Sequence, residues 1–206
     1  MNSWFVEPEV PPQPRPGPIP WHPWLRRPDN ELGVLVPTQM ELARRPTLVL
    51  AVMAIYAFSC GFEISLVLRQ QPTGDPALPW TPRGHWADDL HFGVEFEDGR
   101  RTSKGLGPDV HLKAWTDAYW TANRQPEPVG PTMMSFGGGG SHGSTVGHSW
   151  TNWIWPLPPG SWLRLGWEWR GQGIEFDTRS IEVGPIRRAA AASNALWEPQ
   201  TPSTGV

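Results

Sequence analysis

Residues 148–170 read HSWTNWIWPLPPGSWLRLGWEWR and contain six of the fourteen tryptophans in the chain. The turn sequence Pro158-Pro159-Gly160 divides this stretch, and apolar residues alternate with polar ones after the turn. Alternation at a period of two is typical of a β-strand that has one face in a core and the other in solvent. The stretch therefore predicts a β-hairpin that forms one wall of a hydrophobic core.

The same alternation predicts which tryptophans face the core. Four of them fall on the face expected to be buried: Trp153, Trp155, Trp167 and Trp169. Trp150 and Trp162 fall on the opposite face, so we expect them at the surface or beneath a covering segment. An exposed indole can stack on a sugar ring or on a side chain of a partner. Trp150 and Trp162, with the polar neighbours Asn152 and Arg164, are therefore candidate binding residues.

A second apolar stretch, residues 47–68, reads TLVLAVMAIYAFSCGFEISLVL. Its hydropathy is compatible with a membrane span. However, the unbroken apolar run ends at Gly61, and beyond it apolar residues alternate with Glu63 and Ser65. This period of two favours two strands joined by a turn at residues 59–61. We expect the hairpin, and a membrane-anchored protein through residues 47–68 is the alternative.

Short alternating segments separated by turn signals recur along the chain and predict about seven to nine strands. Gly184-Pro185 and the alanines at 189–192 predict one short helix near the C-terminus. These elements together predict a mainly β fold, an antiparallel β-sandwich of immunoglobulin-like size with one short C-terminal helix.

The 25 prolines of the chain are unevenly distributed, and many lie near the N-terminus. Proline at this density prevents helix and central strand. We expect a disordered Pro-rich arm at residues 1–30, a single sandwich domain at residues 31–198 and a disordered tail at residues 199–206. Trp21 and Trp24 are positioned to anchor the arm on the domain.

The charge and cysteine content limit the possible partners and compartments. The formal net charge is −3, and the basic residues are scattered. A nucleic-acid surface needs a concentrated basic stripe, so no nucleic-acid partner is expected. Cys60 is the single cysteine, so the fold has no internal disulfide. The first residues lack the features of a secretory signal, which predicts a cytoplasmic location rather than a membrane one.

Two groups of histidines resemble the composition of metal sites. The sequence GHWADDLH holds His85, Asp89 and His91, and imidazole with carboxylate suits zinc, iron or manganese. His142 and His148 flank a glycine-rich loop and are candidate binding residues. Neither spacing matches an established ligand motif. A metal-dependent enzyme at His85, Asp89 and His91 is therefore an alternative function.

The glycine-rich loop does not fit a catalytic motif. The run at residues 137–143 lacks the lysine of a phosphate-binding loop, and it precedes a strand rather than a helix. Ser141 has glycine neighbours but lacks the strand–turn–helix context of a nucleophile elbow. We therefore expect no cofactor and no catalytic residues.

Several stretches occur in a characteristic order: GFEISLVLR (61–69), FGVEFEDGRR (92–101), a glycine-rich loop, WIWPLPPGSWLRLGWEW (153–169) and IRRAAAASNALW (186–197). In these stretches the chain resembles a family of small all-β proteins from high-GC bacteria. The resemblance covers about residues 30–198. It implies strands over residues 47–69, and because the family has no assigned activity, it implies no function.

The sequence favours a non-enzymatic β-sandwich that binds another macromolecule, with a protein as the expected partner. The expected contact surfaces are the loop ends, including residues 137–148, and any exposed tryptophan. A carbohydrate-binding sandwich that uses exposed tryptophans is a second hypothesis. No small-molecule ligand is indicated by the sequence.

Overall fold

The structure is a computed structural model that describes residues 22–71, 90–104, 127–142 and 145–197. The strands in these residues are β1 (Glu31–Leu32), β2 (Val34–Val36), β3 (Met40–Arg45), β4 (Leu48–Phe58), β5 (Gly61–Gln70), β6 (His91–Phe96), β7 (Arg101–Lys104), β8 (Thr132–His142), β9 (Thr145–Trp155), β10 (Trp162–Trp169), β11 (Ile174–Glu182) and β12 (Asn194–Ala195). A short 3-10 helix spans Arg170–Gln172, and the α-helix α1 spans Val183–Ala191.

Two antiparallel sheets form the two layers of the fold. In sheet 1 the strand order is β2-β4-β5-β9-β8, and β3 pairs with β4 alongside β2. In sheet 2 the strand order is β11-β10-β6-β7. Outside both sheets, β1 pairs with β12 in a two-stranded ribbon. The predicted fold class, a mainly β antiparallel sandwich with one short C-terminal helix, is confirmed.

The predicted hairpin over residues 47–69 is formed by β4 and β5. The two strands pair along their whole length, from Phe58 opposite Gly61 to Leu48 opposite Gln70. These residues therefore form two strands rather than the membrane helix that their hydropathy also allows. Among the residues that the structure describes, none of the helices has the length and apolar character needed to cross a bilayer.

The hydrophobic core lies between the two sheets and is closed at one end by α1. The central strands contribute alternate residues, namely Leu48, Leu50, Val52, Ile55 and Ala57 from β4, Phe62, Ile64, Leu66 and Leu68 from β5, Phe92, Val94 and Phe96 from β6, and Leu163, Leu165, Trp167 and Trp169 from β10. Helix α1 adds the buried side chains of Val183, Ile186, Ala189 and Ala190 to the same core. The period of two is the pattern expected of a sandwich, and it is broken only in β4, where the register with β5 shifts between Val52 and Ala54.

Strand β9 presents its tryptophans on faces opposite to those that the sequence predicts. Its register with β5 sets Leu66 opposite Trp150 and Glu63 opposite Trp153, and directly opposite residues share a face of the sheet. Trp150 therefore joins the core between the sheets and is only 8% exposed, so the prediction that it faces away from the core is wrong. Trp153 lies on the outer face of sheet 1, yet it is fully buried.

The outer face of sheet 1 is covered by residues 22–27, here called the N-terminal cover. Trp24 in this cover is buried. The Pro23 carbonyl accepts a 2.8 Å hydrogen bond from Trp153 Nε1, and the Trp24 carbonyl accepts a 2.7 Å hydrogen bond from Thr132 Oγ1. An apolar layer therefore also exists outside the sandwich, and periodicity alone does not distinguish this layer from the core.

The N-terminal cover falls within the range predicted as a disordered arm, residues 1–30. Trp24 folds back onto the domain, as its position in the sequence suggested. The domain thus includes residues 22–30, and the remaining predicted arm (residues 1–21) and the predicted tail (residues 199–206) lie outside the described residues.

A buried carboxylate holds the N-terminal cover by charge. Glu63 is 6% exposed, and both of its oxygens accept hydrogen bonds from Arg27 Nη1, at 3.0 and 3.2 Å. Burial raises the pKa of Glu63, and the guanidinium of Arg27 opposes that rise. Arg27 also lies 5.9 Å from the centroid of the Phe58 ring. The cover is therefore fixed both by apolar burial and by an ion pair.

Replacing Trp150 by Ala tests the assignment of its face. Removing an indole from the core leaves a cavity, so we expect the free energy of unfolding to fall by about 3–5 kcal/mol. Trp162→Ala, on the outer face of sheet 2, is the matched control, with an expected loss of about 1 kcal/mol or less. Urea denaturation followed by far-UV circular dichroism measures both losses, and equal losses would contradict the assignment.

Replacing Arg27 by Met tests the ion pair through its pH dependence. The variant leaves the charged form of Glu63 buried without its cation, so we expect a loss of about 1–3 kcal/mol at pH 7. Because burial raises the folded-state pKa of Glu63, protonation of this group favours the fold at low pH, and its contribution falls as pH rises above the ordinary glutamate value.

We therefore expect the Arg27→Met variant to lose much less stability at pH 4, where Glu63 is mostly protonated. In a Glu63→Gln background, which lacks the titrating group, Arg27→Met should cost the same stability at the two pH values. Denaturant titrations at pH 4 and pH 7 measure the difference, and a loss from Arg27→Met that is independent of pH rules out the ion pair as its cause.

Candidate functional site

The outer face of sheet 2 carries the polar residues of its two central strands. Four residues of β10 alternate with the core residues and point to this face: Trp162, Arg164, Gly166 and Glu168. The residues of β6 that share the face are His91, Gly93 and Glu95. This face therefore gathers aromatic, cationic, anionic and glycine positions within two adjacent strands.

Two glycines, Gly93 and Gly166, stand directly opposite each other near the middle of this face. Neither carries a side chain, and a groove of about 510 Å³ opens over the backbone between β7 and β11. Glycine is required at position 93, because a Cβ there would lie 2.9 Å from the Thr102 carbonyl oxygen. The chemically distinctive lining side chains are those of His91, Glu95, Arg101, Arg164, Glu168 and Phe176.

One wall of the groove is an exposed aromatic ring. Phe176 of β11 is 67% exposed, and its ring lies 3.4 Å from the position that a Cβ of Gly166 would take. The register of β10 with β11 shifts between Trp167 and Trp169, where β11 has one residue more than β10. The shift lets Ile174 face the core, whereas Phe176, two residues from Thr178 opposite Gly166, stands on the outer face by ordinary alternation.

Three charged residues form a network at one end of the groove. The Glu95 carboxylate accepts a 3.0 Å hydrogen bond from Arg101 Nη2 and a 3.2 Å hydrogen bond from Arg164 Nη1, one on each oxygen. Arg164 also lies 5.0 Å from the centroid of the Trp162 ring. A guanidinium has five N–H donors, so both arginines keep donors beyond those given to Glu95.

The other end of the groove holds an imidazole and a second carboxylate. His91 and Glu168 are register partners on β6 and β10, and Glu168 accepts a 3.2 Å hydrogen bond from Arg170 Nη2. The buried Nδ1 of His91 has no hydrogen-bond partner within the described part of the chain. Polar groups therefore stand at both ends of the glycine floor.

The structure brings only part of the predicted binding set to this groove. Arg164 lines the groove, and the half-buried Trp162 lies beside it. Asn152 is 1% exposed and belongs to the core, where its Nδ2 donates to the Ile64 carbonyl at 3.2 Å and its Oδ1 accepts from Ser135 Oγ. Trp150 lies in the core too, so neither residue is available at the surface.

The two predicted binding histidines lie on sheet 1, away from the groove. His148 of β9 is half-buried, its ring lies 5.9 Å from the ring of Trp150, and burial lowers its pKa. His142 is the last residue of β8, and its side chain is outside the described residues.

The suggested metal site is only partly within the described residues. His91 lies in β6, whereas His85 and Asp89 belong to residues 72–89, outside the described part. Within the ranges that the structure describes, no group of three or more His, Cys, Asp or Glu side chains is placed to hold a metal ion.

Sequence reasoning missed Gly93, Gly166 and Phe176, which give the groove its shape. One signal was present, because HFGVEF and LRLGWEW each place a glycine at an outward position of an alternating strand. A glycine within a strand often marks close approach of a ligand or another backbone. The pairing of the two glycines, however, depends on a register that neither segment contains.

Comparison of the chain with protein-family models, with curated proteins and with solved structures finds no match in any of the three.

Proposed function

We propose that this protein is a non-enzymatic binding module that holds part of another macromolecule in the outer groove of sheet 2. The observation that carries this proposal is the opposed pair Gly93 and Gly166, which leaves a groove of about 510 Å³ on the outer face of sheet 2. This volume falls within the roughly 300–1,000 Å³ range of ligand pockets in proteins.

The exposed ring of Phe176 supports binding at this groove. Its 67% exposure leaves most of an aromatic side chain in water, next to a floor that has no side chains of its own. Covering apolar surface stabilises a complex by about 25 cal/mol per Å², and aromatic residues in such positions are frequent anchors of interfaces. A ligand that packs against Phe176 gains this contribution.

The charged network at Glu95 is suited to rearrangement on binding. Arg101 and Arg164 are 73% and 41% exposed, and exposed ion pairs contribute only about 0–1 kcal/mol each. Their guanidinium groups can therefore turn toward a ligand at little cost.

The proposal predicts that filling the groove floor abolishes capture of the partner. In Gly166→Val the new side chain occupies the groove, and a β-branched residue suits the strand. The Cβ would lie 3.4 Å from the Phe176 ring, so only a small shift of that exposed ring is needed. Ser180→Val, on the same face of β11 but outside the groove lining, is the matched control.

Quantitative affinity capture from a lysate of the source organism, with isotope-labelled comparison of the variants, measures the effect. We expect macromolecules that the unmodified protein and Ser180→Val enrich equally to be lost with Gly166→Val. Thermal denaturation of each variant confirms that the domain is folded. If folded Gly166→Val enriches the same macromolecules as the unmodified protein, the groove is not the binding site.

A further inference from the structure

We infer that the group seated in the groove is a neutral pyranose sugar, an inference that rests on the proposed function of the groove as a binding site. Three features of the groove point to this chemistry: the balance of the charges in its lining, the arrangement of its donors and acceptors, and the glycine floor with an aromatic ring beside it.

The charges of the residues that line the groove cancel, and Arg170, which pairs with Glu168, lies outside this lining. Its lining includes two arginines, Arg101 and Arg164, and two glutamates, Glu95 and Glu168. A site for a phosphate, a sulfate or an acidic chain carries an excess of cations, as in other anion-binding sites. This groove has no such excess among its described residues, so its electrostatics favour a ligand without net charge.

Donors and acceptors are both offered at the rim. Arginine side chains only donate hydrogen bonds, and ionised carboxylates only accept them. The paired Glu95 and Arg164 thus present both roles at one end, and Glu168 adds an acceptor at the other. A sugar hydroxyl donates and accepts at once, so a polyhydroxylated ring can use both kinds of group from a single site.

Between the two polar ends lies a floor of backbone with an aromatic ring beside it, and Ser103 and Thr178 flank this floor. The floor is the backbone at Gly93 and Gly166, and the Phe176 ring stands beside it. A pyranose ring has C–H groups on its faces and hydroxyls around its edge. On this floor, the sugar places its C–H faces against the glycine backbone and the Phe176 ring, and its hydroxyls toward the polar ends. Aromatic side chains with polar groups nearby suit this arrangement.

An extended peptide fits this site less well. Peptides commonly bind sheets by adding a strand at an edge, and the groove lies over the central strands. One of the two edge strands beside the groove, β11, sets Asp177 opposite Trp167 and Arg179 opposite Leu165, so both charges stand on its core-facing side. Inward-pointing charges on an edge strand oppose the addition of another strand.

The experiment uses the full chain and an array of neutral glycans as the probe, followed by titration calorimetry with the bound glycans. We expect at least one neutral glycan to bind and Phe176→Ala to weaken its affinity by about tenfold or more. Phe176→Tyr, which keeps the ring and adds a solvent-facing hydroxyl, should retain affinity within about threefold, and Ser180→Val should match the unmodified protein. Binding should change little between low and high salt, because the ligand carries no charge.

Two results overturn the inference. One is that no neutral glycan on the array binds in a way that depends on Gly166 and Phe176. The other is binding that weakens steeply with salt, which indicates a charged ligand. A peptide library screened in parallel separates this inference from the function on which it rests. Peptide binding that Gly166→Val abolishes keeps the groove as a binding site but rules out the sugar, and loss of all groove-dependent binding in both screens rules out both.

Discussion

One buried amide fixes how three neighbouring strands of sheet 1 align. The Asn152 side chain of β9 donates to the Ile64 carbonyl of β5 and accepts from Ser135 of β8. A buried polar side chain that loses its partners costs about 1–3 kcal/mol, so alternative alignments are disfavoured. A slip of one residue would also turn every side chain of a strand to the other face, and it would carry the Glu63 carboxylate from beneath the N-terminal cover into the core.

Sheet 2 also depends on the register of its strands, and this register determines the shape of its outer face. Gly93 meets Gly166 only because β6 and β10 pair as they do. Phe176 lies on the same face of β11 as Thr178, the partner of Gly166, and therefore stands beside the space that the two glycines leave. The groove is therefore a product of strand pairing, because two glycines on separate strands make a trough only when they are neighbours.

The sequence predicted well those features that depend on a single segment. Alternation alone identified the β4–β5 hairpin, and Pro185 followed by alanines identified α1. It failed where a second segment decides the outcome. Trp150 and Trp153 were assigned to the wrong faces, because a tryptophan beneath the N-terminal cover has the same sequence context as one between the sheets. The groove was not predicted, since its parts come from strands that are far apart in the chain.

The contacts made by residues 22–32 determine when the domain can be completed during synthesis. Trp24 accepts its hydrogen bond from a residue 108 positions later in the chain, and β1 pairs with β12 near the end of the described residues. A ribosome releases the first residues long before these partners emerge. The cover therefore cannot complete its contacts with β8 and β9 until those strands have been synthesised, and contacts of such long sequence separation make folding slow compared with helical proteins of similar size.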